Sequence, residues 1–239
     1  MARKPPPALL NMNPINQLRA GKLALRLPQL FIGLAGFGFS VAIFIKAGLG
    51  AMSWDVLTLG LMKQFGLSYG LITIVTSMIV LLLWIPLREM PGLGTIANAF
   101  LIGIFGDLSL RIIPDPTGLP LQIVYVIVGL ILFGFFDALY IGAQFGSGPR
   151  DGLMTGLMRI TGLSATVVRT ALEVTVVVIG IAAGGEFGPG TIALSLLAGP
   201  CVGFFLPRVT VPLLPPAEPD AGTRQGSGPA ASNRGDELD

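Results

Sequence analysis

Ionisable side chains are scarce in the apolar stretches of this sequence, so those that occur there carry most of the chemical information. Asp137 lies within Leu-Phe-Gly-Phe-Phe-Asp-Ala-Leu-Tyr. A charge at membrane depth costs at least a few kcal/mol on insertion scales, so such a residue faces a cavity, a partner or the headgroup interface. Arg169 and Glu173 stand four residues apart in another apolar run and would share one helix face. Paired there, each lowers the cost of burying the other, either as a lock between helices or as part of a proton or ion relay. Asp55 and Asp151 open two short segments, and Arg150 immediately precedes the second. A carboxylate at such a position either caps a helix N-terminus or helps form a polar site where two half-helices meet. Other chemistry is poorly provided for. The chain has no His and one Cys, Cys201, which removes the commonest metal ligand and general base and precludes an intrachain disulfide. No Gly-x-x-x-x-Gly-Lys-[Ser/Thr] run supports ATP-driven work. The residue set suits binding or moving a solute; it does not suggest an enzyme, a metal site or a cofactor.

The elements that must position these residues are membrane helices. The chain is 52% hydrophobic and 12% charged, with a mean hydropathy of +0.78, where an ordinary soluble domain is nearer a quarter charged. A net charge of +2, spread along the chain, is no nucleic-acid footprint. Six stretches are long and apolar enough to span a bilayer, at roughly 28–46, 71–87, 95–113, 121–143, 164–183 and 190–207. The first has no cleavage-site region and reads as a retained helix rather than a signal peptide. Met90-Pro91-Gly92, Pro114 to Gly118 and Gly184 to Gly190 break the runs. Residues 51–65 and 147–161 are too short to span and too apolar for loops, which suits re-entrant or interfacial half-helices. A basic arm over residues 1–26 and a polar, Pro-rich tail over 214–239 read as disordered. Gly142, Gly146, Gly148, Gly152 and Gly156 include small-xxx-small spacings that suit close helix packing.

The sequence also repeats itself. A shift of 96 residues aligns Leu30–Leu110 with Val126–Leu206 without a gap, and 27 of the 81 pairs are identical, about three times the roughly one in ten that chance gives at this composition. The identities cluster. Ala47, Gly50, Asp55, Leu57, Gly60, Leu61 and Met62 meet Ala143, Gly146, Asp151, Leu153, Gly156, Leu157 and Met158, while Gly92, Gly94 and Thr95 meet Gly188, Gly190 and Thr191. Duplication therefore divides the chain into membrane repeat 1, residues 27–113, and repeat 2, residues 121–209. With six spans each repeat holds three helices and a half-helix, and the copies are inverted; with eight, they are parallel. The expected fold is all-α: a six-span bundle of two inverted repeats.

The segments Gly50-Ala-Met-Ser-Trp-Asp-Val-Leu-Thr-Leu-Gly-Leu and Gly146-Ser-Gly-Pro-Arg-Asp-Gly-Leu-Met resemble the paired signatures of the YczE branch of the YitT/YczE/YyaS family of bacterial membrane proteins. The resemblance covers most of residues 28–207. It implies a bacterial inner-membrane protein of largely unknown activity, with no established substrate.

The functional expectation is a permease or permease-like protein for a small solute or ion, with its site between the repeats. Asp55, Asp137, Arg150, Asp151, Arg169 and Glu173 form the expected polar lining. The alternative is a non-transporting scaffold or accessory subunit that holds a membrane protein partner or a second copy of itself. The basic arm and Arg208 place both termini in the cytoplasm under the positive-inside rule.

Overall fold

A computed structural model of the chain describes residues 14–213. Among the described residues there are nine helices and no strand: α1 (Pro14–Arg19), α2 (Leu23–Ala47), α3 (Ser53–Phe65), α4 (Tyr69–Leu87), α5 (Leu93–Ile112), α6 (Leu119–Gly142), α7 (Pro149–Thr161), α8 (Ala165–Ala182) and α9 (Pro189–Val209). Helices α2, α4, α5, α6, α8 and α9 are each long and apolar enough to cross a membrane. At 13 residues each, α3 and α7 reach only about 20 Å.

Local chemistry sets these boundaries in matched pairs. Gly50 and Gly146, 96 residues apart, turn the chain into α3 and α7 at φ 109° and 108°, a region that costs a side-chain-bearing residue energy. Both short helices then stop at a left-handed glycine, Gly66 or Gly162, whose N–H donates to the Met62 or Met158 carbonyl. Ser68 and Ser164 follow as N-caps of α4 and α8, accepting from Leu71 N and Val167 N.

Two antiparallel central helices, α2 and α6, organise the bundle. Their contacts run in opposite senses along the two chains: Gly33 lies against Tyr140, Phe37 against Phe133 and Phe44 against Gly129. Under the 96-residue shift the Gly33–Tyr140 and Phe44–Gly129 contacts exchange, and Phe37–Phe133, with ring centroids 5.0 Å apart, maps onto itself. Helix α5 runs parallel to α2, with Gly38 against Gly106 and Lys46 bonded to Asp115 at 2.7 Å. Helix α9 runs parallel to α6, with Gly134 against Cys201 and Val211 N bonded to Gly142 O at 3.0 Å. Loops are exchanged in the same way: Gly94 N donates to Phe145 O and Gly190 N to Leu49 O, both at 2.8 Å. The short helices cross over, α3 packing on α8 and α7 on α4. Trp84 of α4 covers Gly152, and the backbone at Val56 and Leu57 covers Gly180, the equivalent of Trp84. Leu, Ile and Val side chains cover the outer faces of the long helices, as a hydrocarbon solvent requires.

One pair of contacts lacks a counterpart. Helix α4 lies along α5, with Gly70 against Gly103 and the Tyr69 ring against Gly106. Asp107 ties this seam by accepting from Ser68 Oγ at 2.6 Å and Gly70 N at 2.8 Å. Helices α8 and α9 do not pack along one another. Gly199 and Gly203, the equivalents of Gly103 and Asp107, face open space.

The basic arm needs a correction. Residues 14–19 and 23–26, expected to be disordered, form α1 and the first turn of α2. The cause is Arg26, fully buried, whose guanidinium donates to Ala143 O and Gln144 O at 2.8 Å, Gln17 O at 2.7 Å and Gly21 O at 3.2 Å while lying 4.1 Å from the Phe145 ring centre. It satisfies carbonyls at the C-terminal end of α6, where no intrahelical donors remain. Residues 1–13 and the tail 214–239 lie outside the described residues.

Candidate functional site

A cavity of about 160 Å³ opens beside the Phe37–Phe133 contact. Most of its lining comes in pairs 96 residues apart: Phe37 with Phe133, Met52 with Gly148, Ser53 with Pro149, Trp54 with Arg150, Thr73 with Arg169, Ser77 with Glu173, Asn98 with Leu194 and Ile102 with Ala198. The cavity thus sits where the two halves of the chain meet. Its charge, however, comes from one half. Asp137, Arg150, Asp151, Arg169 and Glu173 are its acidic and basic lining residues, and all follow residue 121; the polar lining side chains of the first half are those of Ser53, Trp54, Thr73, Ser77 and Asn98.

The short helices deliver the central charges. Their N-terminal turns place Trp54-Asp55 and Arg150-Asp151, equivalent dipeptides, against one another. Arg150 lies 5.1 Å from the Trp54 ring centre and 4.0 Å from the Asp55 carboxylate. Asp55 stands just behind the lining, 1% exposed, and accepts from Tyr69 Oη at 2.9 Å. Its second oxygen, Oδ2, has no hydrogen-bond donor among the described residues. Trp54 occupies the position equivalent to Arg150, so Asp151 has no matching ion pair across the two halves among the described residues, and Arg150 and Arg169 act on it at longer range. On α8, Arg169 Nε donates to Glu173 Oε1 at 3.0 Å, so this pair lies on one face of its helix and on the cavity wall. Asp137 enters from α6 through a position held by buried Val41 in the first half. Neither Asp137 nor Asp151 is in an ion pair among the described residues.

Five of the six residues expected in the lining therefore share one cavity, and Asp55 adjoins it through Arg150. The neutral lining was missed. Ser53, whose Oγ lies 3.3 Å from Ser195 Oγ, and Asn98, Thr73, Ser77 and Tyr140 carry no distinguishing sequence signal. Their only mark is that two of them, Thr73 and Ser77, align with Arg169 and Glu173 of the other half under the 96-residue shift. Asp107, an acid in another span, was not singled out; it caps α4 rather than lining the cavity.

A bundle of six apolar helices enclosing a charged cavity is the architecture of a multi-pass membrane protein. Residues 24–207 match the Family of unknown function (DUF6198), and the chain belongs to that family. It is 36% identical over 177 residues to an uncharacterized protein of Haemophilus influenzae, covering 74% of this chain and 81% of the relative. It is 33% identical over 189 residues to the uncharacterized membrane protein YczE of Bacillus subtilis, covering 78% and 88%. The uncharacterized protein YyaS of the same organism is 29% identical over 182 residues, covering 74% and 90%. The resemblance carried by the paired signatures is thus borne out. No solved structure matches the chain.

Proposed function

We propose that this protein is a permease or permease-like binding protein of the bacterial inner membrane, in which two inverted units enclose a site for a small polar solute and both termini face the cytoplasm. The observation that carries this reading is the cavity itself, which is lined by paired positions of the two halves and charged on one side only. Inverted repeats with short helices ending at a shared site are a recurring plan of secondary transporters. The antiparallel course of α2 and α6 and the exchanged loop bonds support the inversion.

The unequal seams support movement. In one half α4 is latched to α5, while in the other α8 stands away from α9. Exchanging these two arrangements would carry the cavity from one membrane face to the other, as rocking of one unit against the other does in alternating access. No bond-making chemistry is assigned to the site, and the protein is read as a non-enzyme that takes no cofactor.

The test is binding and counterflow. Purified protein is screened for thermal stabilisation by small cationic, anionic, zwitterionic and neutral solutes, and hits are assayed for exchange in proteoliposomes. At least one class stabilises and exchanges, and Ser195→Trp, which fills the cavity, abolishes both. If no solute class acts and a membrane protein partner copurifies with both the parent and the Ser195→Trp variant, the scaffold reading replaces this one.

A further inference from the structure

The charge inventory of the cavity identifies what it takes. Four carboxylates, of Asp55, Asp137, Asp151 and Glu173, stand at or immediately behind its wall against two guanidinium groups. Both arginines are already answered within the chain. Arg169 is bonded to Glu173 at 3.0 Å, and Arg150 lies between the Trp54 face and Asp55. Among the described residues, Asp137 and Asp151 have no cationic side chain within ion-pair distance, Arg150 and Arg169 acting on them only at longer range, and Asp55 Oδ2 has no hydrogen-bond donor. A charged carboxylate in a low-dielectric site is costly unless a cation or a proton accompanies it. An anionic solute would add to the excess, whereas a cation would remove it.

Shape narrows the class. Beside the two acids stand Phe37, Phe133, Ile102 and Leu194, an apolar wall suited to a short hydrocarbon body. A cavity of about 160 Å³ is close to the ~150 Å³ that accommodates one benzene molecule, so the body is limited to a few carbons. Among the described residues no group of three or more His, Cys, Asp or Glu is gathered as a metal cage.

We propose that the cavity binds a small protonated amine, with its ammonium group between Asp137 and Asp151 and its short apolar body against the Phe37–Phe133 wall. This deepens the permease reading and rests on it. The 96-residue offset shows why the site is built once: Val41 stands at the position equivalent to Asp137 and Trp54 at that equivalent to Arg150, so the acids at 137 and 151 have no ion-pair partner within 4.0 Å among the described residues.

The experiment compares three near-isosteric probes on the full-length protein by calorimetry and thermal shift: n-butylammonium, n-butanol and butyrate. The amine is expected to bind at least tenfold more tightly than the alcohol, with no binding of butyrate. Asp137→Asn and Asp151→Asn should each weaken the amine at least tenfold while leaving the size-exclusion profile unchanged. Tighter binding of butyrate or butanol overturns the amine assignment and leaves the cavity reading standing. Amine binding that survives both substitutions also overturns it, because the ligand then sits elsewhere. If neither these probes nor any class in the wider screen binds, the cavity reading falls and the proposal falls with it. The probe comparison on the unsubstituted protein needs no variant to fold.

Discussion

Three acidic or basic residues within long helices of this protein have different roles, and their neighbours decide which. Arg26 is fully buried and fully used, donating to four carbonyls from α1, its following turn and the end of α6. Arg26→Ala should therefore destabilise the protein by about 3 kcal/mol, since it removes charge-assisted bonds and orphans buried carbonyls; the midpoint of denaturation of detergent-purified protein measures it. Asp107 is also satisfied, by Ser68 Oγ and Gly70 N. Asp107→Asn is expected to lower stability by about 1 kcal/mol and to leave solute binding unchanged. Asp137 is the opposite case, with no ion partner among the described residues. Asp137→Asn should raise the melting temperature, by about 1 kcal/mol of stability, and weaken solute binding at least tenfold. This contrast, read by thermal shift with and without solute, separates a structural acid from a ligand-binding one.

At the scale of elements, glycines report which seams are closed. A Cβ at Gly152 would meet the Trp84 indole, whose Nε1 donates to Pro149 O at 3.0 Å. Gly152→Val should cost about 1–3 kcal/mol by overpacking, seen as a lower melting temperature. Gly199 on α9 meets nothing within 4 Å. Gly199→Leu should change stability by no more than about 0.5 kcal/mol yet stop solute exchange, because α8 must close on that face in the alternate arrangement. Unchanged exchange in a folded Gly199→Leu protein would remove the moving seam from the mechanism. The α3 and α7 boundaries were legible from composition, length and the recurring Gly and Ser. Which long helix each would pack against was not, because the pairing is exchanged between the halves.

The whole molecule is tested by sidedness. In a Cys201→Ser background, single cysteines are introduced at Gln64, Met90, Asp115 and Glu186, the last three in loops between long helices and Met90 75% exposed. Membrane-impermeant maleimide applied to intact cells should label positions 64, 115 and 186, and label position 90 only after permeabilisation. Identical sidedness at 90 and 186 would make the halves parallel and remove the basis for exchanging their seams.

The spans and the short helices were determined by the sequence alone, because each depends on a local property, runs of apolar residues and the breakers between them, and identities at a constant offset of 96 pointed to two related halves. The cluster of charges could also be named in advance, since any ionisable residue in such a chain is conspicuous. Only the tertiary structure decided their pairing. Arg150 lies beside Asp55 of the other half, and its own neighbour Asp151 is in no ion pair among the described residues. Likewise, Asp107 meets a serine and a backbone N–H while Asp137 meets a cavity, although both are single acids in apolar helices. The fate of a buried charge depends on donors brought to it by other helices, and that information lies in distances across the bundle rather than in spacing along the chain.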